Sequence, residues 1–258
     1  MTKLVRAAVP LLSMLGVFLL LYEGLRGICI LSPQLTPGTG TTIRALALLL
    51  CHAQFWGDIA ITSYRAVLGV LVGGLVGLPV GFVMGIHSWT RRGLLPIVDF
   101  LRALPAVALF PALATMLGLG EATKLTLIGI PSGLMISIFA YYACAEVRPA
   151  LLEYLTLLKV SRADTIRHVF IPSVATRFPA CFRYTLPLAL VLSVIADMFV
   201  GARHGLGVRL VEYQETFQLP KLYATILTTG ALGFLMNWIA DKLSDAVEKR
   251  GLVERWSR

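Results

Sequence analysis

Long apolar runs, separated by short polar stretches, dominate the pattern of this chain. A run of about twenty apolar residues is long enough to cross a bilayer as a helix. The first run follows Lys3 and Arg6, as in a signal peptide, but its length and the lack of a small-residue cleavage site favour an uncleaved helix. The pattern predicts six membrane-spanning helices, at about residues 7–25, 64–86, 95–117, 124–144, 178–200 and 222–240.

The longest polar interruption, Glu146–Arg177, lies between the fourth and fifth predicted spans. We call it the connecting segment, and two short helices are expected in it. Pro149 suits the first position of a helix that runs to Leu158. The hydroxyl of Ser161 suits the cap of a second helix, which Pro172 is expected to end. A helix–turn–helix between two spans favours a docking role.

The second predicted span carries a glycine at every fourth position: Gly69, Gly73, Gly77, Gly81 and Gly85. On a helix this spacing forms one smooth stripe that drifts slowly around the axis. Small residues allow helix backbones to approach closely in lipid, so we expect the stripe to pack against another helix. The alternative is that the stripe lines a solute path.

Three further residues are candidates for a translocation path. Pro105 and Pro111 interrupt the third predicted span, which is therefore expected to be bent and broken. Broken helices are tolerated in membranes where they line a cavity or are buried in protein, and an ordinary kinked span is the alternative. Asp197 is the best acidic residue within a span. It is either part of a relay or, as we favour, hydrated or paired near the outer end of its span, for example by Arg203.

Two other stretches give weaker patterns. Residues 43–61 mix apolar residues with Arg44, His52 and Asp58, which predicts one amphipathic helix at the membrane interface. Residues 201–219 combine glycines with charged residues and are predicted to form a loop.

Composition places the chain among integral membrane proteins. Of its 258 residues, 57% are hydrophobic and only 14% are charged, with a mean hydropathy of +0.79. The net charge of +9 reflects Lys and Arg in loops rather than a nucleic-acid surface. With the N-terminus inside, 16 of the 23 basic residues fall in cytoplasmic segments. This bias predicts that both termini and the connecting segment are cytoplasmic, in one transmembrane domain over residues 1–258.

Motifs for chemistry are missing from the sequence. There is no G-x-x-x-x-G-K-[ST] for nucleotide binding, and neither HExxH nor GxSxG occurs. The cysteines, Cys29, Cys51, Cys144 and Cys181, have no CxxC spacing and suggest neither a metal site nor a disulfide framework. We therefore predict a solute path whose energy source lies in another chain, with no catalytic residue, metal or cofactor in this one.

Glu153 to Pro172 resembles the EAA loop of ABC-importer permeases. That loop has an E-A-A triplet, a glycine four residues after it, and a hydrophobic-x-hydrophobic-proline ending; here these positions hold Glu153-Tyr154-Leu155, Lys159 and Val169-Phe170-Ile171-Pro172. Other stretches resemble the nitrate, sulfonate and taurine permeases of the same class. They are Ser63–Gly69, Leu101–Pro105 with Pro111, Gly118–Glu121, and Ala196-Asp197 followed by Gly205–Gly207.

The resemblance implies an all-α integral membrane protein, like a type I ABC importer, with a cytoplasmic helix–turn–helix coupling loop. It implies a bacterial inner (cytoplasmic) membrane location and a small anion, sulfonate-like or aromatic compound as substrate. The implied partners are two ATP-binding cassette subunits that bind ATP and Mg, a second copy of the permease, and an extracytoplasmic substrate-binding protein. The residues implied in coupling to the ATPase are Glu153, Tyr154, Leu155, Leu158, Lys159, Val160 and Ser161.

Lys159 stands where the family has a glycine. Glycine allows a tight turn between the two cytoplasmic helices, and lysine enters such a turn only at a conformational cost. Either the coupling geometry differs here, or the chain matches a divergent ATPase. Glu153 could also be a merely solvated helix charge. An ion-gradient secondary transporter, or a membrane anchor subunit without an ATPase, is the alternative function.

Overall fold

The computed structural model of the chain describes residues 14, 16–17, 19–28, 32, 34–199 and 202–249. The start of the predicted span 7–25 lies outside these residues, and residues 19–27 are helical. Every other regular element in the described part is also helical. The elements are α1 Thr39–Leu50, α2 Ala53–Ile86, α3 Ser88–Ala103, a 3-10 turn Ala106–Leu109, α4 Phe110–Leu117, α5 Glu121–Ala145, α6 Pro149–Leu157, α7 Arg162–Thr165, a π-helical turn Ile166–Phe170, α8 Ile171–Phe199, α9 Leu206–Glu215 and α10 Leu219–Lys249.

Four stretches of the described residues are helical, long and apolar enough to cross a membrane. They are Ala53–Ile86, Glu121–Ala145, Arg162–Phe199 and Leu219–Lys242. The pair α3 and α4 adds a fifth if it is counted as one span bent by 95°. The bend follows from proline chemistry: Leu104 is extended before Pro105, and Pro111 lies in the first turn of α4, where a backbone donor is not needed.

The prediction of one helix over residues 43–61 is wrong. α1 ends at Leu50, and α2 starts at Ala53 after the short turn at Cys51 and His52. The indole N–H of Trp56 donates to the carbonyl of Leu50 at 2.8 Å, which ties the two helix ends together. The polar residues that suggested an interfacial helix are therefore divided between two helices.

The prediction that Pro172 ends a short helix is also wrong. The chain passes from α7 through the π-helical turn directly into α8, of which Pro172 is the second residue. A π turn shifts the hydrogen-bond register by one residue, and this shift accommodates a residue that lacks an N–H donor. The return limb of the connecting segment is thus continuous with the helix that follows it.

Residues 201–219 are not all loop, because α9 covers Leu206–Glu215. The glycines and charged residues of this stretch had indicated a loop. Phe217, two residues after the end of α9, has a left-handed φ of 53° and stops the helix. The N–H of Gln218 donates back to the carbonyl of Tyr213 at 2.9 Å.

Two compact units divide the chain, one formed by Met1–Gly57 with Arg209–Thr229 and the other by Asp58–Val208 with Gly230–Arg258. In the first, the N–H of Thr39 donates to the Glu23 carboxylate at 2.6 Å. The second unit holds the main apolar cluster: Ala66, Val70, Ile128, Ile136, Cys181, Leu186, Ala189, Leu190, Leu192, Met236 and Ala240. The single transmembrane domain over 1–258 stays a prediction.

Candidate functional site

Both ends of the helix α6 have features that are common at helix termini. Pro149 occupies its first turn, where the missing N–H costs nothing. At its end, the N–H of Lys159 donates to Thr156 and the N–H of Val160 donates to Leu155, both at 3.0 Å. This pair of bonds around a left-handed residue is a Schellman motif.

Lys159 is the left-handed residue of that motif, with φ of 54°. Glycine adopts this conformation freely, whereas other L-residues lose about 1 kcal/mol or more in it. The lysine therefore occupies the kind of tight turn that a glycine would form, and the backbone accepts the cost. Two explanations were considered for a lysine at this position: a different coupling geometry, or a match to a divergent ATPase. The backbone of the turn gives no support to the first.

One face of α6 is exposed and apolar. Leu157 is 80% exposed, Tyr154 58% and Leu158 57%. Glu153 and Lys159 are exposed beside them. Exposed apolar side chains that cluster in this way are typical of a binding surface.

The other face of α6 is anchored. Leu152 packs with Ile166 against a buried cluster in which Phe170 and Val174 of the return limb meet the end of α5. The α5 members of this cluster are Ala140, Ala143 and Cys144. This face of α6 is therefore packed against the ends of α5 and α8.

Two polar contacts fix the shape of the connecting segment. The Ser161 hydroxyl accepts a hydrogen bond from the N–H of Asp164 at 3.1 Å and donates to its carboxylate at 2.6 Å, which caps α7. At the base, Arg177 of α8 forms an ion pair with Glu146, the residue that ends α5. The two limbs are thus joined where they leave and re-enter the helix bundle.

The glycine stripe of α2 lies directly against α5. A Cβ atom at Gly73 or Gly77 would overlap the backbone of Gly129 or Gly133. Added side chains at the other three glycines would meet Ile128, Ser137 and Cys144 in turn: Gly69 with Ile128, Gly81 with Ser137 and Gly85 with Cys144. The contacts advance along both helices together, so α2 and α5 run parallel, backbone against backbone.

A buried ion network lies at the opposite end of the same helices. Two nitrogens of the Arg65 guanidinium donate to the carboxylate of Glu121 in α5, Nε at 2.9 Å and Nη2 at 2.6 Å. Nη1 donates to the Asp197 carboxylate of α8 at 2.6 Å. The side chains of Arg65 and Asp197 are 3% and 0% exposed. The ammonium of Lys124 also reaches Glu121, at 3.1 Å. The hydroxyl of Thr62 donates to the other carboxylate oxygen of Asp197 at 3.0 Å. We call Thr62, Arg65, Glu121 and Asp197 the arginine network.

The network also holds the loop before α9. Arg65 donates to the carbonyl of His204 at 2.9 Å. The N–H of Gly205 donates to Asp58 at 2.8 Å, and that of Leu206 donates to the Thr62 hydroxyl at 2.9 Å. Gly205 has φ of +135°, and a Cβ atom there would overlap the Asp197 carboxylate, so only glycine fits.

The suggestion that Arg203 pairs with Asp197 is therefore wrong, because Arg65 holds this carboxylate from 132 residues away along the chain. Asp197 faces the network rather than an open path. Of the other path candidates, Pro105 and Pro111 lie on either side of the 3-10 turn between α3 and α4. The roles of Arg65 and Glu121 were missed, although both lie in stretches that carried the resemblance.

In the described part of the chain, no group of three or more His, Cys, Asp and Glu side chains is arranged to hold a metal ion.

Comparisons with known proteins agree with this architecture. Residues 69–250 match the family model described as binding-protein-dependent transport system inner membrane component. A Brucella melitensis protein named as a probable ABC transporter permease is 28% identical over 214 residues, 83% of this chain and 85% of that one. SsuC of Bacillus subtilis, named as an aliphatic sulfonates transport permease, is 25% identical over 86% of this chain and 80% of its own length. The taurine transport system permease TauC of Escherichia coli is 25% identical over 72% and 67%.

Solved structures show the same fold. A chain of the MetNI methionine ABC transporter, in an inward-facing conformation, superposes with a TM-score of 0.66 at 19% identity, over 75% of this chain and 96% of its own. A chain of an amino acid ABC transporter superposes with 0.64 at 18% identity, over 80% and 97%. The all-α membrane fold of type I ABC importer permeases, expected from the sequence, is confirmed. The chain belongs to the family of inner membrane components of binding-protein-dependent transport systems.

Proposed function

We propose that this chain forms the path of an ATP-driven solute importer and that α6 couples the path to a separate ATP-binding subunit. One observation carries the proposal: α6 presents an exposed apolar face centred on Leu157, while its other face is packed onto the ends of α5 and α8. Such an element can receive a push from one protein and pass it to the spans of another. The distribution of Lys and Arg supports a cytoplasmic location for it.

In this proposal Leu157, Leu158 and Tyr154 supply the apolar contact with the ATP-binding subunit, and Glu153 supplies a charge that pairs with a basic residue there. Leu155, Val160 and Ser161 shape the turn at the end of α6, and Lys159 lies at its tip. The side chains of Leu157 and Leu158 are entirely apolar, so contact with a partner would remove apolar surface from water. Their burial in a partner would therefore contribute most of the affinity, and the charge would contribute orientation.

The partners follow from the family. A binding-protein-dependent system includes a substrate-binding protein, which would meet the chain at the end opposite to α6. We propose two ATP-binding subunits, which hold ATP and Mg, and a second copy of this permease that completes the path. The assembly would lie in the bacterial inner membrane with both termini in the cytoplasm.

We propose a small sulfonate-like anion as the solute. Two relatives are named for the transport of aliphatic sulfonates and taurine, and these solutes share a sulfonate group. A sulfonate keeps its negative charge at neutral pH, so it needs positive or hydrogen-bonding groups along its route. Binding of candidate sulfonates to the partner binding protein, measured by calorimetry, tests this part separately.

The coupling role is tested with Glu153→Lys in the reconstituted importer. The variant should insert normally but lose ATP-dependent uptake, because the reversed charge opposes the basic residue of the partner. Glu153→Gln removes the charge without reversing it and should retain part of the uptake. Normal uptake by Glu153→Lys would contradict the proposal. Uptake that needs an ion gradient and no ATP-binding subunit would favour a secondary transporter instead.

A further inference from the structure

Arg65 lies at the far end of the bundle from α6, and the coupling proposed for α6 gives it no task. We propose that Arg65 is a positioning residue for transport. It fastens α2, α5 and α8 at that end, so that the three helices and the loop before α9 move as one rigid block when α6 is displaced. This inference rests on the proposed function and adds to it a residue that neither solute nor ATPase needs to touch.

The guanidinium of Arg65 has a geometry suited to joining several elements. A guanidinium offers five N–H donors in a fixed fork. In this structure the fork spans three elements: Glu121 of α5 through two bonds, Asp197 of α8 through one, and the carbonyl of His204 through another. A lysine or glutamine cannot make this set of bonds. The residue therefore joins three elements in one fixed geometry.

The loop before α9 is bonded to one face of α2. Asp58, Thr62 and Arg65 lie on one face of α2, since they are four and three residues apart. Each of the three bonds one of three consecutive residues, the last two of the loop and the first of α9: Arg65 bonds His204, Asp58 bonds Gly205, and Thr62 bonds Leu206. The loop is thus held by α2 and moves with it.

The same helices are also in contact at two other levels along their length. Near the connecting segment, Phe170 and Val174 pack against the end of α5. In the middle, the backbones of α2 and α5 touch at Gly73 and Gly77. The 25 residues of α5 span about 38 Å. Without the arginine network, the helices would still be held together at these two levels, but their ends near Arg65 would separate. The displacement of α6 would then not reach the loop before α9.

The main test measures how many ATP molecules the reconstituted importer hydrolyses for each solute transported. Arg65→Gln should raise this number roughly tenfold, toward the lower end of the usual range of coupling between sites. Arg102→Gln is the matched control, because Arg102 forms an ion pair with Asp99 outside the network. That control should keep the wild-type number. A role limited to stability would lower hydrolysis and transport together and leave their ratio unchanged, which would overturn the proposal.

A second measurement reports rigidity in the chain itself. Spin labels are placed at Arg162 and Arg203, both exposed, in a chain without its native cysteines, and labelled copies are diluted with unlabelled ones. We expect one narrow distance in the otherwise wild-type chain, and a broad distribution in Arg65→Gln. A narrow distribution in both proteins would refute the role of Arg65, and a broad distribution in the wild-type chain would refute the rigid block. This result does not depend on an ATPase, so failure of the proposed function and failure of the inference are distinguishable.

Arg65→Gln leaves the buried Asp197 carboxylate without its arginine partner, and the variant could fail to fold. Glu121→Gln avoids this problem, because Glu121 is 57% exposed and Arg65 keeps Asp197. It should broaden the distance distribution and raise the ATP requirement to a smaller extent than Arg65→Gln. Wild-type values for both quantities in Glu121→Gln would also overturn the proposal.

Discussion

Substituting alanine for Gly77 tests how closely α2 and α5 pack. The added Cβ atom would overlap the carbonyl oxygen, the carbonyl carbon and the Cα atom of Gly133, all of which are backbone atoms and cannot rotate away. The helices must therefore separate. A gap of about 0.5–1 Å forfeits a quarter to a half of the dispersion energy of the contacts it opens.

The magnitude follows from two opposed effects. Overpacking of this kind costs about 1–3 kcal/mol, whereas alanine favours a helix by about 1 kcal/mol over glycine. We expect Gly77→Ala to lower the free energy of unfolding by about 1 kcal/mol, with larger losses for larger side chains, as the balance of those two effects.

Two matched glycines calibrate the experiment. Gly74 lies on the same helix, and its added Cβ would meet only the end of the Ile136 side chain, at 3.3 Å. Gly230 lies within α10, and a Cβ there would meet nothing within 4 Å. Gly230→Ala should be neutral or stabilising, and Gly74→Ala should fall between it and Gly77→Ala. Thermal unfolding of the three purified variants in detergent gives the order. If Gly77→Ala is as stable as Gly230→Ala, the close backbone contact is refuted.

Two further predictions concern the connecting segment. Lys159→Gly should stabilise the turn after α6 by about 1 kcal/mol, because glycine relieves the left-handed strain; amide hydrogen exchange at Val160 should slow, and unchanged exchange would argue against strain. Ser161→Ala should cost about 1 kcal/mol through loss of the cap, seen as faster proteolysis at α7, and equal proteolysis would show that the cap contributes little.

Local rules predicted local structure well in the connecting segment. Pro149 begins α6, and Ser161 caps α7 through Asp164, because each effect depends on residues within one turn. The rule failed at Pro172, where a π turn absorbs the missing donor. Phe170 of the π turn and Val174 of α8 pack against the end of α5, a contact between distant parts of the chain that no local pattern reveals.

The arginine network could not be predicted for a different reason. Its members are separated by 56 and 132 residues, so only the packing of α2, α5 and α8 brings them together. The sequence nevertheless held a signal, since Arg65, Glu121 and Asp197 each lie in a stretch that resembled the family. Pairing of Asp197 was among the expectations, but the example partner, Arg203, lies close to it along the chain, whereas the observed partner, Arg65, lies 132 residues away.

The central claim is that α6 docks onto an ATP-binding subunit, and cross-linking tests it most directly. A photoactivatable amino acid is placed at Leu157, on the exposed face, and at Leu152, on the face packed inside the chain. Irradiation of the assembled importer in membranes should link position 157 to the ATP-binding subunit and position 152 only within the chain. An importer that is active but shows no link from position 157 to that subunit would contradict the account.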